Sequence, residues 1–549
     1  MSNMVNTEKS FFNISHLSLR ALILGAVGSA VITASSTYVA LRMGALPWPT
    51  VLAAIMSMAL LKIFGKTTPN EVNITQTAMT AGAMVAGGLA FTLPGIWLEG
   101  NPSQQDLFMP VLLVSFAGIT MGTVLTWVWR SKLLKRQNLP FPIGIAAAET
   151  IQAGDIGGKR AGYLFGSMGV AAIYTVIRDW FGKIPSYISF DALAGHNIFT
   201  GILMWPMAPA IGYMIGTLYS GVLFIGAVFA YFLLLPIGVA TGIFVDVAAA
   251  STFRETLGLG LMVGSGLGVI LSFALESLKN TKSGQTGMRN EHKPASSSKK
   301  LMIYTFVYAL TLIFTLAAGI DLFSSILLMA GVFLATLMAS LITGQAGINP
   351  MEIFAIIIFI AIRFILGLFS IQIDIISSLL IAGVIAVACG YAGDTLFDYK
   401  AGEILGTNPK AQLVAQVIGG IVGAVTATAT IFVVINQYGP VGSQSLPAPQ
   451  GLMVYSMVGG TYNPAVFWIA AAIGAILVLL KVPSITLGIG IYLSFGFSLA
   501  IFLGGLIQYI VKKLKKNKTG NNGLIIASGL FGGESLIGVL IPIIKMFTE

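Results

Sequence analysis

Two aspartates one helical turn apart, Asp394 and Asp398, stand in a largely apolar stretch at 389–410 (CGYAGDTLFDYKAGEILGTNPK), followed by Lys400 and Glu403. Acids at this spacing share a helix face and interact, so together they can hold and release a proton near neutral pH, as a proton-coupled carrier requires. A solvated helix end explains the same residues. A second carboxylate, Glu149, closes the run NLPFPIGIAAAE at 138–149, too short and too interrupted by proline to be an ordinary membrane span. It therefore faces protein or water. Glu534 lies near the middle of the last apolar run, in GLFGGESLIG. An ionisable residue at the centre of a membrane helix costs about 2.5–3.5 kcal/mol on insertion scales, so each needs a partner, a cavity or a job. For Glu534 the competing reading is a buried structural hydrogen bond. Arg363 interrupts the run 355–369 three turns from Glu352, too far for a pair within one helix, so a carboxylate on another helix is its expected partner. Arg363 and Lys400 are candidates to meet a substrate carboxylate. Asn73, Gln76 and Gln345 can hydrogen-bond a peptide-like backbone, although amides between packed helices commonly just join them. Glu71 and Asp106 read as acids at the positive ends of helices.

The elements that carry these residues follow from composition. Of 549 residues 56% are hydrophobic and only 9% charged, and apolar runs of 18 or more recur along the chain, which makes it a polytopic membrane protein. The runs are Gly-rich with a 3.6-residue period, not the alternating strands of a barrel, so the fold class is all-α. About sixteen spans are expected, among them 19–43, 161–178, 198–218, 221–243, 484–511 and 522–545. Segments 139–153 and 447–460 are shorter and broken by Pro or Gly, and read as re-entrant or half-helical pieces lining a pathway. The first run has no convincing cleavage site and is expected to stay as the first helix.

One cysteine, Cys389, and three scattered histidines give no disulfide and no ligand cluster, so neither a metal site nor a cofactor is expected. No nucleophile stands at catalytic spacing from a base and no P-loop is present, so the chain reads as neither an enzyme nor an ATP-driven pump. A solute channel is the rival from another class, and would need a continuous pore with rings of like residues. The formal charge of +10 is concentrated in loops beside spans and marks orientation, not nucleic acid. Three basic loops, at 130–136, 279–300 and 512–518, belong in the cytoplasm together with the N-terminus. Seven clear spans lie between the second and third loops where an even number is required, so either 447–460 crosses or a neighbour does not. The polar, Gly/Ser-rich stretch 280–300 reads as a linker between two membrane halves, 1–279 and 301–549. No residue-level repeat relates them.

Glycines at four-residue spacing (Gly260, Gly264 and Gly268; Gly118 and Gly122; Gly212 and Gly216; Gly419 and Gly423; Gly529 and Gly533) are expected to let helix backbones approach closely. Three Asn-Pro pairs, beginning at Asn349, Asn408 and Asn463, precede apolar runs and read as helix caps. If one such start lies at membrane depth, its free N–H groups and positive dipole suit a carboxylate ligand.

Five blocks taken in order, 71–88 (EVNITQTAMTAGAMVAGG), 139–154 (LPFPIGIAAAETIQAG), 394–420 (DTLFDYKAGEILGTNPKAQLVAQVIGG), 484–511 (SITLGIGIYLSFGFSLAIFLGGLIQYIV) and 529–540 (GLFGGESLIGVL), resemble the oligopeptide transporter family, which includes the yellow-stripe-like metal-chelate carriers. The resemblance runs from about residue 20 to 545 and is to a prokaryotic-type member. It implies a carrier of roughly sixteen helices that moves small peptides or metal-chelate complexes inward across the cell membrane, usually with protons as the coupling ion. Two departures stand out. Ile143 follows the second proline of the LPFP block where similar members carry a polar or acidic residue, leaving Glu149 as the acid there. Ser494 replaces a proline expected after Tyr492-Leu493, which puts the kink at that point in question. The oligomeric state is open, with a homodimer among the options.

Overall fold

The computed structural model describes residues 14–548 apart from 44–45, 47–48, 100–103, 136–138, 157, 197, 199, 283–296, 348, 439, 444–445, 447, 460–462 and 515–521. The chain begins with α1 (Leu19–Met43), α2 (Pro49–Ile63), α3 (Pro69–Ala90), α4 (Gln104–Leu133), α5 (Pro142–Ile156) and α6 (Gly158–Thr175). After a small ribbon come α7 (Met207–Val228), α8 (Leu235–Ala240), α9 (Val247–Lys282), α10 (Ser297–Ala317), α11 (Leu322–Ala346) and α12 (Met351–Leu368). The remainder is α13 (Ile375–Leu405), α14 (Pro409–Tyr438), α15 (Pro449–Val458), α16 (Pro464–Leu479), α17 (Ser484–Tyr492), α18 (Phe495–Leu514) and α19 (Asn522–Thr548). Among the described residues nine helices are long and apolar enough to cross a membrane, as a multi-pass membrane protein requires. Most of the polar stretch 280–300 lies outside the described residues.

Two helices form the centre. Residues 71–90 of α3 are all buried, as is nearly all of α13 from Ser378 to Gly402. The outer helices turn Ile173, Ile225, Phe306 and Ile469 outward, each more than half exposed, which suits contact with acyl chains. The small-residue stripes pack as expected except at Gly216, which breaks its helix and meets only the Gln508 side chain. A Cβ at Gly260, Gly264 or Gly268 on α9 would run into the Phe467, Ala471 or Ala475 carbonyl of α16. Gly118 and Gly122 likewise admit Val387 and Tyr391, and Gly82 meets Gly423 where α3 crosses α14. Lipid tails are as apolar as leucine, so close backbone approach supplies the van der Waals contact that hydrophobicity cannot.

The all-α fold class holds; among the described residues the only strands form a short antiparallel ribbon, Tyr187–Ser189 paired with Gly201–Leu203, where Gly201 leaves room for the Ile188 carbonyl. Two expectations are corrected. The expected spans 198–218 and 221–243 give way to an apolar stretch, Met207–Ala240, in which two helices meet at a non-helical Gly216, whose φ of 86° suits glycine. Segment 484–511 is not one span, because the helix breaks at Leu493-Ser494 without the proline. Arg254 on α9 replaces the lost helical bonding there: its Nη1 donates to the carbonyls of Ile491 (3.1 Å), Tyr492 (2.8 Å) and Leu493 (3.3 Å). Carbonyls freed inside a bilayer need such a donor, and a guanidinium supplies several from one residue.

Candidate functional site

A cavity of about 150 Å³, room for about five waters at their liquid volume, lies where the broken helix faces the centre of the bundle. Its walls come from Met84 and Phe91 of the α3 end, Asn349-Pro350-Met351-Glu352 at the start of α12, Asp394 of α13, Gln450 of α15, and Tyr492, Leu493 and Phe497 around the break. Met207, Met262 and Met351 join Met84, so four flexible thioethers line a space with two carboxyl groups. Such walls adapt to side chains of varied shape.

Three buried polar atoms without a partner among the described residues belong to this wall. Asp394 is buried with Asn349 beside it, and its Oδ1 has no hydrogen-bond partner among the described residues. Glu352 Oε2 and Asn349 Oδ1 are in the same condition. Buried polar atoms cost about 1–3 kcal/mol each when unpaired, so three at one cavity mark a place built to receive donors. Asp398, one turn further along α13, is satisfied: it accepts from Gln76 Nε2 (2.8 Å) and Thr80 Oγ1 (2.5 Å), while its carbonyl accepts from Gln412 Nε2 (2.7 Å). The two aspartates therefore have separate surroundings, and Asp394 lines the cavity while Asp398 ties α13 to α3 and α14.

The Asn-Pro starts divide in the same way. Asn463 Oδ1 accepts from the N–H groups of Ala465 and Val466, and Asn408 Oδ1 from that of Lys410, as caps do. Asn349 instead donates from Nδ2 to the Cys389 carbonyl at 2.9 Å and lines the cavity. Behind Met207, Glu534 accepts from Arg178 Nη1 (2.7 Å) and from the Met207 N–H (2.6 Å), and Arg178 also pairs with Asp179 at 2.6 Å, so a charged cluster at α19 fixes the start of α7.

The remaining sequence candidates lie elsewhere. Glu149 is half-buried on α5, whose Ala147 and Ala148 pack with Ala401 of α13, and it is not part of the cavity wall. Lys400 pairs with Glu403 at 2.8 Å. Arg363 is exposed and donates to the Val458 carbonyl at the end of α15, so the expected carboxylate partner is replaced by a helix C-terminus, whose free carbonyls attract a cation. Gln76 is engaged by Asp398, and Asn73 donates to Gln76 at 3.4 Å. The side chain of Gln345 lies outside the described residues. Sequence marks Asn349 only as one of three Asn-Pro helix starts, and it does not mark Glu352 or the methionines as site residues. Glu352 follows directly on an Asn-Pro helix start, and that juxtaposition was the available signal.

A family profile described as OPT oligopeptide transporter protein matches residues 16–545. A putative oligopeptide transporter of Haemophilus influenzae is 27% identical, covering 92% of each chain. The metal-nicotianamine transporter YSL2 of Arabidopsis thaliana is 24% identical over 30% of this chain and 28% of its own length. The putative oligopeptide transporter YGL114W of Saccharomyces cerevisiae is 24% identical over 30% of this chain and 26% of its own.

Proposed function

The chain belongs to the oligopeptide transporter family, and on that premise we propose that it is a proton-coupled secondary transporter importing small oligopeptides across the cell membrane. One observation carries this reading: Asp394 and Glu352 line a cavity at a helix break, and each has one carboxyl oxygen that no described residue satisfies. A peptide's terminal ammonium is a three-donor cation that suits such oxygens, and the four methionines with Phe91 and Tyr492 suit its side chains. With two carboxyl groups at the cavity, one can hold a proton while the other pairs with the ammonium, so proton and substrate are bound and carried together. That linkage is what a symporter requires. Discontinuous helices at mid-membrane are the usual setting for such sites, because the breaks allow one bundle to rock against another. Glu149, on the helix packed against α13, is the further coupling candidate, and the basic loops with the N-terminus are assigned to the cytoplasm.

Import of metal-chelate complexes is the second reading. The thioethers favour it, since sulfur ligands accommodate soft metals, and so does the partial similarity to a metal-nicotianamine transporter. Uptake into proteoliposomes, with and without an inward proton gradient, separates the two. Labelled di- and tripeptides that accumulate only with the gradient support the first reading. Accumulation of iron or nickel chelates in their place supports the second, and conduction without substrate saturation refutes both in favour of a channel.

A further inference from the structure

A second pocket, of about 210 Å³, lies apart from the cavity where the end of α4 meets the α13–α14 turn. Two cations face it, Arg130 and Lys135, with the hydroxyls of Ser131 and Thr407. The Arg130 guanidinium stands 3.9 Å from the ring centroid of Trp127 and 5.5 Å from that of Tyr399. Two rings thus fix its plane. It forms no ion pair among the described residues, and its Nε is buried without an acceptor. The acid in the pocket wall, Glu403, is already taken by Lys400 at 2.8 Å. The pocket is therefore a preformed positive site with unspent donors.

We propose that it binds a phosphate group, presented by the headgroup of an anionic lipid. A fixed guanidinium matches the geometry of phosphate oxygens, and a neighbouring lysine adds charge. Leu134 and Pro409 give the pocket an apolar side suited to the glycerol portion of a lipid. The site lies at the end of a membrane helix in a basic loop, where the positive-inside rule puts the cytoplasmic leaflet and its anionic lipids. Its other wall belongs to α13, the helix that carries Asp394, so an occupied pocket would brace that helix.

The test uses the full-length protein in detergent, read by native mass spectrometry and thermal unfolding, with phosphatidylglycerol, phosphatidylcholine or inorganic phosphate added. The anionic lipid should be retained and should raise Tm more than the zwitterionic one. Lys135→Gln, at an exposed side chain that leaves the fold intact, should weaken that retention about fivefold, since one basic side chain near a membrane surface contributes about 1 kcal/mol. Arg130→Gln should weaken it further. Lys132→Gln, outside the pocket, should match wild type. A Tm rise with inorganic phosphate but not with the lipid keeps the phosphate chemistry and assigns a soluble source. Equal retention of both lipids with no effect of phosphate, or equal losses in Lys132→Gln and Lys135→Gln, overturns the proposal. None of these readouts depends on what the protein transports.

Discussion

Asp394→Asn and Asp398→Asn form an internally controlled pair, because the two residues sit on one buried helix one turn apart and differ in what they touch. At Asp394 the substitution keeps the shape of the cavity wall and removes the charge offered to an incoming ammonium. Losing one partner of a buried, desolvated ion pair costs about 3–5 kcal/mol, so peptide affinity should fall at least a hundredfold, about 3 kcal/mol being just over two decades. At Asp398 the new amide replaces an oxygen that accepts from Gln76 and Thr80. Thr80 also lies within 3.1 Å of the Gln76 carbonyl and can turn its proton there, and the Gln76 amide can flip. The expected penalty is thus about 1–2 kcal/mol of stability, with peptide affinity within about threefold of wild type. Equilibrium binding of a labelled tripeptide to purified protein measures the first quantity, and thermal unfolding in the same detergent the second. Equal loss of binding in both variants, or wild-type binding in Asp394→Asn, would refute the assignment of Asp394 to the substrate.

Other outcomes follow from single interactions. Arg254→Gln leaves most of the carbonyls at the α17–α18 break without a donor and should lower stability by about 2–4 kcal/mol, seen as a fall in Tm; an unchanged Tm would mean that the break is satisfied another way. Glu534→Leu removes one of two carboxylates from the buried Arg178, which Asp179 still pairs at 2.6 Å, and leaves the Met207 N–H without its acceptor, so it should cost about 1–3 kcal/mol, seen as a fall in Tm; an unchanged Tm would argue against Glu534 holding the start of α7. Gly264→Val forces α9 off α16 and should abolish the monodisperse peak in size-exclusion chromatography, whereas Gly162→Val, where a Cβ meets nothing within 4 Å, should not. Glu149→Gln should abolish gradient-driven uptake while leaving peptide exchange measurable; accumulation at the wild-type rate would remove Glu149 from the coupling scheme.

Much of the architecture was legible because a bilayer is an unforgiving solvent. Backbone groups must bond internally and apolar length is fixed by membrane thickness, so composition and run length alone gave a helical, multi-pass chain. Glycine spacing identified which helix faces meet, since only small residues let backbones touch. The five ordered blocks gave the family. Run length could not tell that 484–511 breaks, because the donor that stabilises the break is Arg254, more than two hundred positions away, and nothing local announces it. Sequence likewise made Asp394 and Asp398 a pair, since spacing along one helix says which face a side chain shares but not what stands opposite. Tertiary packing put Gln76 and Thr80 against Asp398, and put Glu352, Asn349 and four methionines from separate helices around Asp394. An acid's role in a membrane is set by the partners that reach it across space, and those come from elements far apart in the chain.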